Sequence, residues 1–278
     1  MIFKTIQSKG RLFELQSPFV MGILNVTPDS FYDGGKYAHT EAAVARAAQM
    51  LNEGADILDI GGASSRPGAD TVPESEEIQR VVPVIAAIRQ QYPDAIISID
   101  TWRAAVARAA VVAGADIVND ISAGTLDPML IPTVAELQVP YILMHIQGTP
   151  QTMQLQPEYG DVVTEVLDFL IQKVAAFRAA GVRDIIVDPG FGFGKTIAHN
   201  YALLRELHTY RQVLQLPLLA GISRKSMIYK LLNITAKESL PATTALHLFA
   251  LQQGADILRV HDVREAVQAR TLYQALSA

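Results

Sequence analysis

Asn25, Asp59, Asp100, Asn119, Asp120, His145 and Asp188 each lie in or directly after a short apolar run, as do Arg224, Lys225, Arg259, His261 and Asp262. An isolated Asp in such a place is usually a helix N-cap. When run after run ends in an acid, an amide or a cation, the pattern is that of a binding mouth assembled from many segments. Arg259 and His261 are two apart, share one face of an extended strand, and read as an anion clamp. Asp262 directly precedes a helical stretch and reads as its cap. Gly190-Phe191-Gly192-Phe193-Gly194-Lys195-Thr196 has the setting of a P-loop, but that motif needs Gly at the position of Pro189 and is rejected. His39, His145, His199, His208, His247 and His261 form no HExxH and no close pair, so zinc is not expected; His208 and His247 read as structural. Lys225, in Ser223-Arg224-Lys225-Ser226 at a helix start, is placed to donate to a ligand rather than to form a Schiff base.

The runs that carry these residues are Val20–Val26, Ala55–Ile60, Ala95–Ile99, Ile117–Ile121, Tyr141–Met144, Asp184–Val187, Leu216–Ile222 and Ala255–Val260. They are rich in Ile, Val and Leu without period-2 alternation, as strands buried on both faces are. Helical periodicity fills the intervals. It covers Glu41–Asn52, Ile78–Ile88, Ala104–Ala113, Asp127–Glu136, Val162–Ala180, His199–Leu214, Arg224–Gln253 (broken near Pro241) and Arg264–Leu276. Pro83 is expected to kink or split its helix. Gly54-Ala55-Asp56-Ile57, Gly114-Ala115-Asp116-Ile117 and Gly254-Ala255-Asp256-Ile257 are near copies, and Gly181-Val182-Arg183-Asp184 is a looser one. A glycine just past a helix turns the chain into the next strand. Eight consecutive βα units without a long linker favour an α/β fold closed as a (β/α)₈ TIM barrel over an open doubly wound sheet, with function at the C-terminal strand ends. Phe3–Ile6 and Arg11–Leu15 around Ser8-Lys9-Gly10 read as a β-hairpin capping the other end. Residues 1–278 are expected to form one domain.

Composition narrows the function. With 23 basic and 28 acidic side chains the formal net charge is −5, and no Lys/Arg cluster offers a nucleic-acid surface. Absence of cysteine excludes disulfides, iron–sulfur clusters and thiol catalysis. The opening MIFKTIQSKGR lacks the basic tip and apolar stretch of a secretion signal, and no uncharged apolar run reaches about eighteen residues, so a cytoplasmic protein without a membrane span is expected.

Longer motifs carry a specific resemblance. Met21-Gly22-Ile23-Leu24-Asn25-Val26-Thr27-Pro28-Asp29-Ser30-Phe31, followed by Asp33-Gly34-Gly35, resembles the opening motif of the dihydropteroate synthase family. Gly61-Gly62 with Ser64-Ser65-Arg66-Pro67-Gly68, Ile99-Asp100-Thr101, Asn119-Asp120-Ile121, Asp188 to Lys195, Ser223 to Ser226, and Arg259-Val260-His261-Asp262 are similar to its later motifs, in the same order. The resemblance implies a transferase of folate biosynthesis, the target of sulfonamides. It would join para-aminobenzoate to 6-hydroxymethyl-7,8-dihydropterin diphosphate, giving 7,8-dihydropteroate and diphosphate.

By that resemblance Asp100, Asn119, Met144, Asp188, Phe193, Gly221 and Lys225 would bind the pterin. Asn25, Ser65, Arg66, Arg259 and His261 would hold the diphosphate, with Mg²⁺ on Asn25, and Thr27, Phe31, Pro67 and Ser226 would receive para-aminobenzoate. Asn25, Arg66, Lys225, Arg259 and His261 would carry the chemistry, in a homodimer formed through the last helices. Residue chemistry agrees: a pterin edge mixes donors and acceptors and needs carboxylates, amides and a cation, while diphosphate needs cationic forks, a metal or helix N-termini. No general base is evident, and none is required if the C–O bond breaks first. Ala63 and Ser65 stand where the family commonly has Glu and Thr; neither change removes a residue assigned to chemistry. The long segments Thr27–His39 and Ala63–Pro73 read as covers that close over the site. The rival readings are a methyltetrahydrofolate-dependent methyltransferase and a non-catalytic pterin-binding homologue.

Overall fold

The computed structural model describes residues 5–15, 17–26, 36–63, 72–153 and 155–277. Lys9 and Gly10 both take left-handed backbone, φ 50° and 79°. Two such residues in a row make the type I′ turn that matches the twist of paired strands, and they join β1 (Thr5–Ser8) to β2 (Arg11–Glu14). Eight parallel strands follow: β3 (Phe19–Asn25), β4 (Ile57–Gly61), β5 (Ile96–Asp100), β6 (Ile117–Asp120), β7 (Tyr141–Met144), β8 (Ile185–Asp188), β9 (Leu219–Ala220) and β10 (Ile257–Val260). Their order, β8-β7-β6-β5-β4-β3-β10-β9, is completed by a parallel bridge between Val187 and Leu218. The ring is therefore closed, and the open doubly wound sheet is excluded.

Each strand has two buried faces with different partners. Val20, Leu58, Ile97, Val118, Leu143, Val187, Leu218 and Leu258 pack outward with the helices. Met21, Ile57, Ile96, Ile117, Ile142, Ile186, Leu219 and Ile257 form a separate inner layer, against which Ile6, Phe13 and Leu15 of the hairpin pack. The hairpin thus plugs the N-terminal end, as expected. Period 2 then dictates what lies above that apolar floor. Two residues on, the inward positions are Ile23, Asp59, Ser98, Asn119, Met144, Asp188, Gly221 and Arg259, and the next level includes Asn25, Gly61, Asp100 and His261.

Between the strands run α1 (Lys36–Asn52), α2 (Glu74–Gln91), α3 (Ala104–Ala113), α4 (Leu130–Leu137), α5 (Val162–Ala179), α6 (Ile197–Arg205), α7 (Leu207–Leu214), α8 (Ser226–Leu232), α9 (Leu240–Gln252) and α10 (Val263–Ser277). Several boundaries differ from expectation. Pro83 does not split α2; it sits on the exposed side, where a missing N–H costs least. The stretch His199–Leu214 is two helices, because Glu206 ends α6 on Ala202 O and its own carbonyl starts α7 by accepting from Thr209. The stretch Arg224–Gln253 stops at left-handed Asn233, and Pro241 lies in the first turn of α9, where proline is tolerated. The run Leu216–Ile222 supplies only the two ladder residues of β9.

The repeated Gly-Ala-Asp segments have one structural role. Asp56 Oδ2 accepts from Val20 N (2.7 Å) and from Arg270 (2.5 Å). Asp116 Oδ2 accepts from Ile97 N (2.9 Å) and from Arg89 (2.6 Å). Asp256 Oδ2 accepts from Leu218 N (2.9 Å), with Arg211 at 3.7 Å from its other oxygen. Each aspartate immediately precedes a strand, grips the neighbouring strand before it, and is held by an arginine from the helix that precedes that neighbour around the ring, which for Asp56 is α10. Among the described residues no helix is long and apolar enough to cross a membrane.

Candidate active site

The C-terminal mouth of the barrel divides into two linked groups. In the first, Arg259 Nε donates to Asp59 Oδ2 (2.6 Å) and its Nη2 donates to Asp100 Oδ2 (2.7 Å). Asn119 Nδ2 donates to the same oxygen of Asp59 (3.1 Å). Asp59 is wholly buried, so one carboxylate behind the mouth orients both an amide and a guanidinium. Burial raises the Asp100 carboxyl to about 7 against the pull of Arg259, with Asp59, Glu77 and Asp120 adding to the rise. Burial alone would lower the Arg259 pKa; Asp59 and Asp100 more than reverse it.

In the second group, Lys225 donates to Phe191 O, and its ammonium lies 4.6 Å from the centre of the Phe193 ring. Burial holds Lys225 down to about 8 against the attraction of Asp188. Asp188 Oδ1 accepts from Gly190 N (2.7 Å), and burial raises its pKa despite Lys225. A Cβ at Gly221 would lie 3.6 Å from Asp188 Oδ2 and 3.8 Å from Lys225 Nζ, so glycine there keeps the two ions facing one space. An apolar wall adjoins them: Met144 and Phe193 cluster with Ile121, Ile146, Met153 and Trp102.

Sequence-expected residues are therefore brought together as Asp100, Asn119 and Arg259 on one side and Met144, Asp188, Phe193, Gly221 and Lys225 on the other. His261 lies just past β10, its Nδ1 3.1 Å from Ser223 Oγ. Ser226 opens α8, half-buried. Thr27, Phe31, Ser65, Arg66 and Pro67 lie outside the described residues, as do residues 27–35 and 64–71 of the two covering segments.

Other strand-end residues have different work. Asp120 faces outward, accepting from Tyr141 OH (2.5 Å), Gly124 N and Ser122. His145 also lies on the outer side, edge-on to Phe169 of α5 at 4.8 Å. The expectation that Asp262 caps α10 with its side chain needs correction: Arg224 forks onto its two oxygens at 2.7 and 2.6 Å, and the backbone carbonyl receives Ala266 N. Arg259 in turn is no free clamp, since two of its donors are committed to carboxylates; Nη1 and the second N–H of Nη2 remain for an anion. Asp59 is placed at the mouth by the sequence but given no role in the site, and Met153 is missed. The signal for Asp59 was its period-2 place above the inner apolar layer.

A resident metal is tested by donor chemistry. Among the described residues no group of three or more His, Cys, Asp or Glu could hold one. A Cβ at Gly61 would sit 3.6 Å from Asn25 Oδ1 and 3.7 Å from Asp100 Oδ2, so this glycine keeps space open at the Asn25 oxygen, beside the Asp100 oxygen that Arg259 holds. That fits Mg²⁺, which keeps waters and takes phosphate oxygens while using few protein ligands.

The arrangement recurs in known proteins. Residues 21–261 match the family of pterin binding enzymes. The dihydropteroate synthase of Escherichia coli (strain K12) is 46% identical over 270 residues, 96% of this chain and 95% of its own. A structure of Xanthomonas albilineans dihydropteroate synthase with 4-aminobenzoic acid has a TM-score of 0.92 at 45% identity, covering 99% of each chain. Another from that organism, in complex with 7,8-dihydropteroate, has a TM-score of 0.88 at 43% identity, again over 99% of each chain. By sequence over nearly its whole length, and by fold, this chain belongs to the dihydropteroate synthase family of pterin binding enzymes.

Proposed function

We propose that the chain condenses para-aminobenzoate with 6-hydroxymethyl-7,8-dihydropterin diphosphate, forming 7,8-dihydropteroate and releasing diphosphate. The observation that carries this reading is the mouth itself, where Asp100, Asn119, Asp188 and Lys225 offer mixed acceptors and donors beside the flat wall of Met144 and Phe193. A pterin ring edge asks for such a set. The substrate's C–O bond breaks with its electron pair leaving on diphosphate, the arylamine nitrogen forms the C–N bond, and that nitrogen then loses one proton. The chain's part is to orient the ring and to receive the departing charge through the remaining donors of Arg259 and through His261. Mg²⁺ bound to diphosphate, with Asn25 as its protein oxygen, would offset that charge. Ser65 and Arg66 at the diphosphate, and Thr27, Phe31, Pro67 and Ser226 around para-aminobenzoate, complete the proposal. So do closure of the covering segments, pairing of two copies through the last helices, and action in the cytoplasm.

The direct test supplies both substrates with Mg²⁺ and follows diphosphate and product by mass. Diphosphate release that is the same with and without para-aminobenzoate would overturn the reading.

Two further results are expected. Below about pH 7 Asp100 is protonated and loses acceptor capacity, and above about pH 8 Lys225 loses its proton. kcat/KM should therefore peak between those values, and Asp100→Asn should remove the acidic limb. A flat profile in the wild type would disconnect both groups from turnover. Asp188→Asn exchanges an acceptor for a donor facing ring N–H groups, a mismatch of ~1–3 kcal/mol. Calorimetry should show pterin affinity lower by roughly tenfold or more; equal affinity would mean that Asp188 does not read the ring.

A further inference from the structure

Lys195 is the buried cation that the reaction leaves unused. It is 3% exposed, and its ammonium lies 2.9 Å from Gly190 O, 3.0 Å from Phe193 O and 2.9 Å from His145 Nδ1. These three are its close acceptors, one for each N–H of an ammonium, with His145 O farther off at 3.5 Å. An ammonium donating to His145 Nδ1 uses that nitrogen's lone pair, with the ring proton on Nε2. Burial and the neighbouring ammonium hold His145 neutral, its pKa lowered to about 3. Burial pulls the Lys195 pKa well below its ordinary value, against the attraction of Asp188 and with the repulsion of Lys225.

The loop gathered by these bonds touches the pterin pocket at three points. The peptide groups of Gly190 are held on both sides, its carbonyl by Lys195 and its N–H by Asp188. The carbonyl of Phe191 receives Lys225. The carbonyl of Phe193 receives Lys195, while its ring faces Lys225. The same loop is pressed against the end of β7: a Cβ at Gly194 would come within 2.6 Å of Gln147 O, and Tyr159 OH donates to Gly194 O (2.8 Å).

We propose that Lys195, braced by His145, is a positioning residue for pterin recognition, setting Asp188, Phe193 and Lys225 at once through the 189–194 backbone. The bare Nδ1 of His145 lets the lysine hold the loop from the outer side of the barrel. This inference rests on the proposed reaction, since it concerns the pterin half of that site.

The test is a split of Michaelis constants, which do not depend on how much of a preparation is folded. Lys195→Met should raise KM for the dihydropterin diphosphate at least tenfold and leave KM for para-aminobenzoate within twofold. A purely structural lysine would lower the yield of active protein or its Tm with both constants unchanged, and that result would overturn the proposal. If Lys195→Met does not fold, His145→Ala, which removes one of the three tethers, should raise the pterin KM at least threefold; an unchanged value would overturn it equally. Wild-type protein that released no diphosphate with both substrates would sink the proposed reaction instead. A direct titration with 6-hydroxymethylpterin would then still read the effect of Lys195 on ring binding.

Discussion

Arg259→Met should cost about 3–5 kcal/mol of stability, because it removes the cation that Asp59 and Asp100 share behind the mouth and leaves the buried Asp59 without it. Asp59 is wholly buried and also orients Asn119, so the loss spreads from the guanidinium to the pterin-facing amide. Turnover should fall by on the order of a hundredfold or more, since donors aimed at departing diphosphate disappear as well. Urea unfolding and steady-state rates measure the two effects separately. Adding Asp59→Asn to the same chain should recover part of the stability and none of the activity, as a double-mutant cycle would show. A stability loss below about 1 kcal/mol would mean the carboxylates are satisfied without the arginine.

Gly190→Ala should be the most damaging small substitution. The residue has φ +74°, and a Cβ there would lie 1.9 Å from the carbonyl oxygen of His145. That oxygen belongs to backbone at the end of β7 and cannot swing aside as a side-chain tip can. Left-handed backbone alone costs alanine ~1–2 kcal/mol; with the collision the loss should reach on the order of 4–5 kcal/mol, the range of exceptional mutants. Gly181→Ala is the control. Its φ is +98° with nothing within 4 Å of the added methyl, so only the conformational cost applies. Thermal unfolding of the pair, with pterin titration of the folded fractions, decides the matter. Equal losses would show that the loop and the strand end separate freely.

These contrasts also explain what could be read from the chain in advance. The barrel was legible because eight apolar runs are punctuated by helical periods, and the mouth because polar residues end those runs. Which polar residues face inward was less plain. Asn119 and Asp120 are adjacent yet lie on opposite faces, and only counting by twos from the inner layer of Ile117 and its neighbours separates them. Asp59 was passed over because its partners, Asn119 and Arg259, are 60 and 200 residues away. Lys195 was weighed only as a phosphate ligand; that its ammonium turns inward to carbonyls depends on the left-handed glycines around it. Asp262 was assigned by local rule to its helix, and a tertiary partner, Arg224, outbid the local one.

The aspartate clamps at the barrel's base bear on how the ring is completed as the chain leaves the ribosome. Arg89 and Asp116 are 27 residues apart, so that clamp can form soon after β6 emerges. The clamp on Asp56 waits for Arg270, 214 residues later, in α10. Until α10 is made, β3 and β4 have the Asp56 carboxylate between them but not the cation that neutralises it, and until β10 is made β3 also lacks that neighbour. A nascent chain stalled before β10 and α10 should therefore hold its middle units in near-native form while the seam at β3 stays open to protease. Release of the final helix would then act as the latch of the whole ring, a late step set by chain order rather than by intrinsic folding speed.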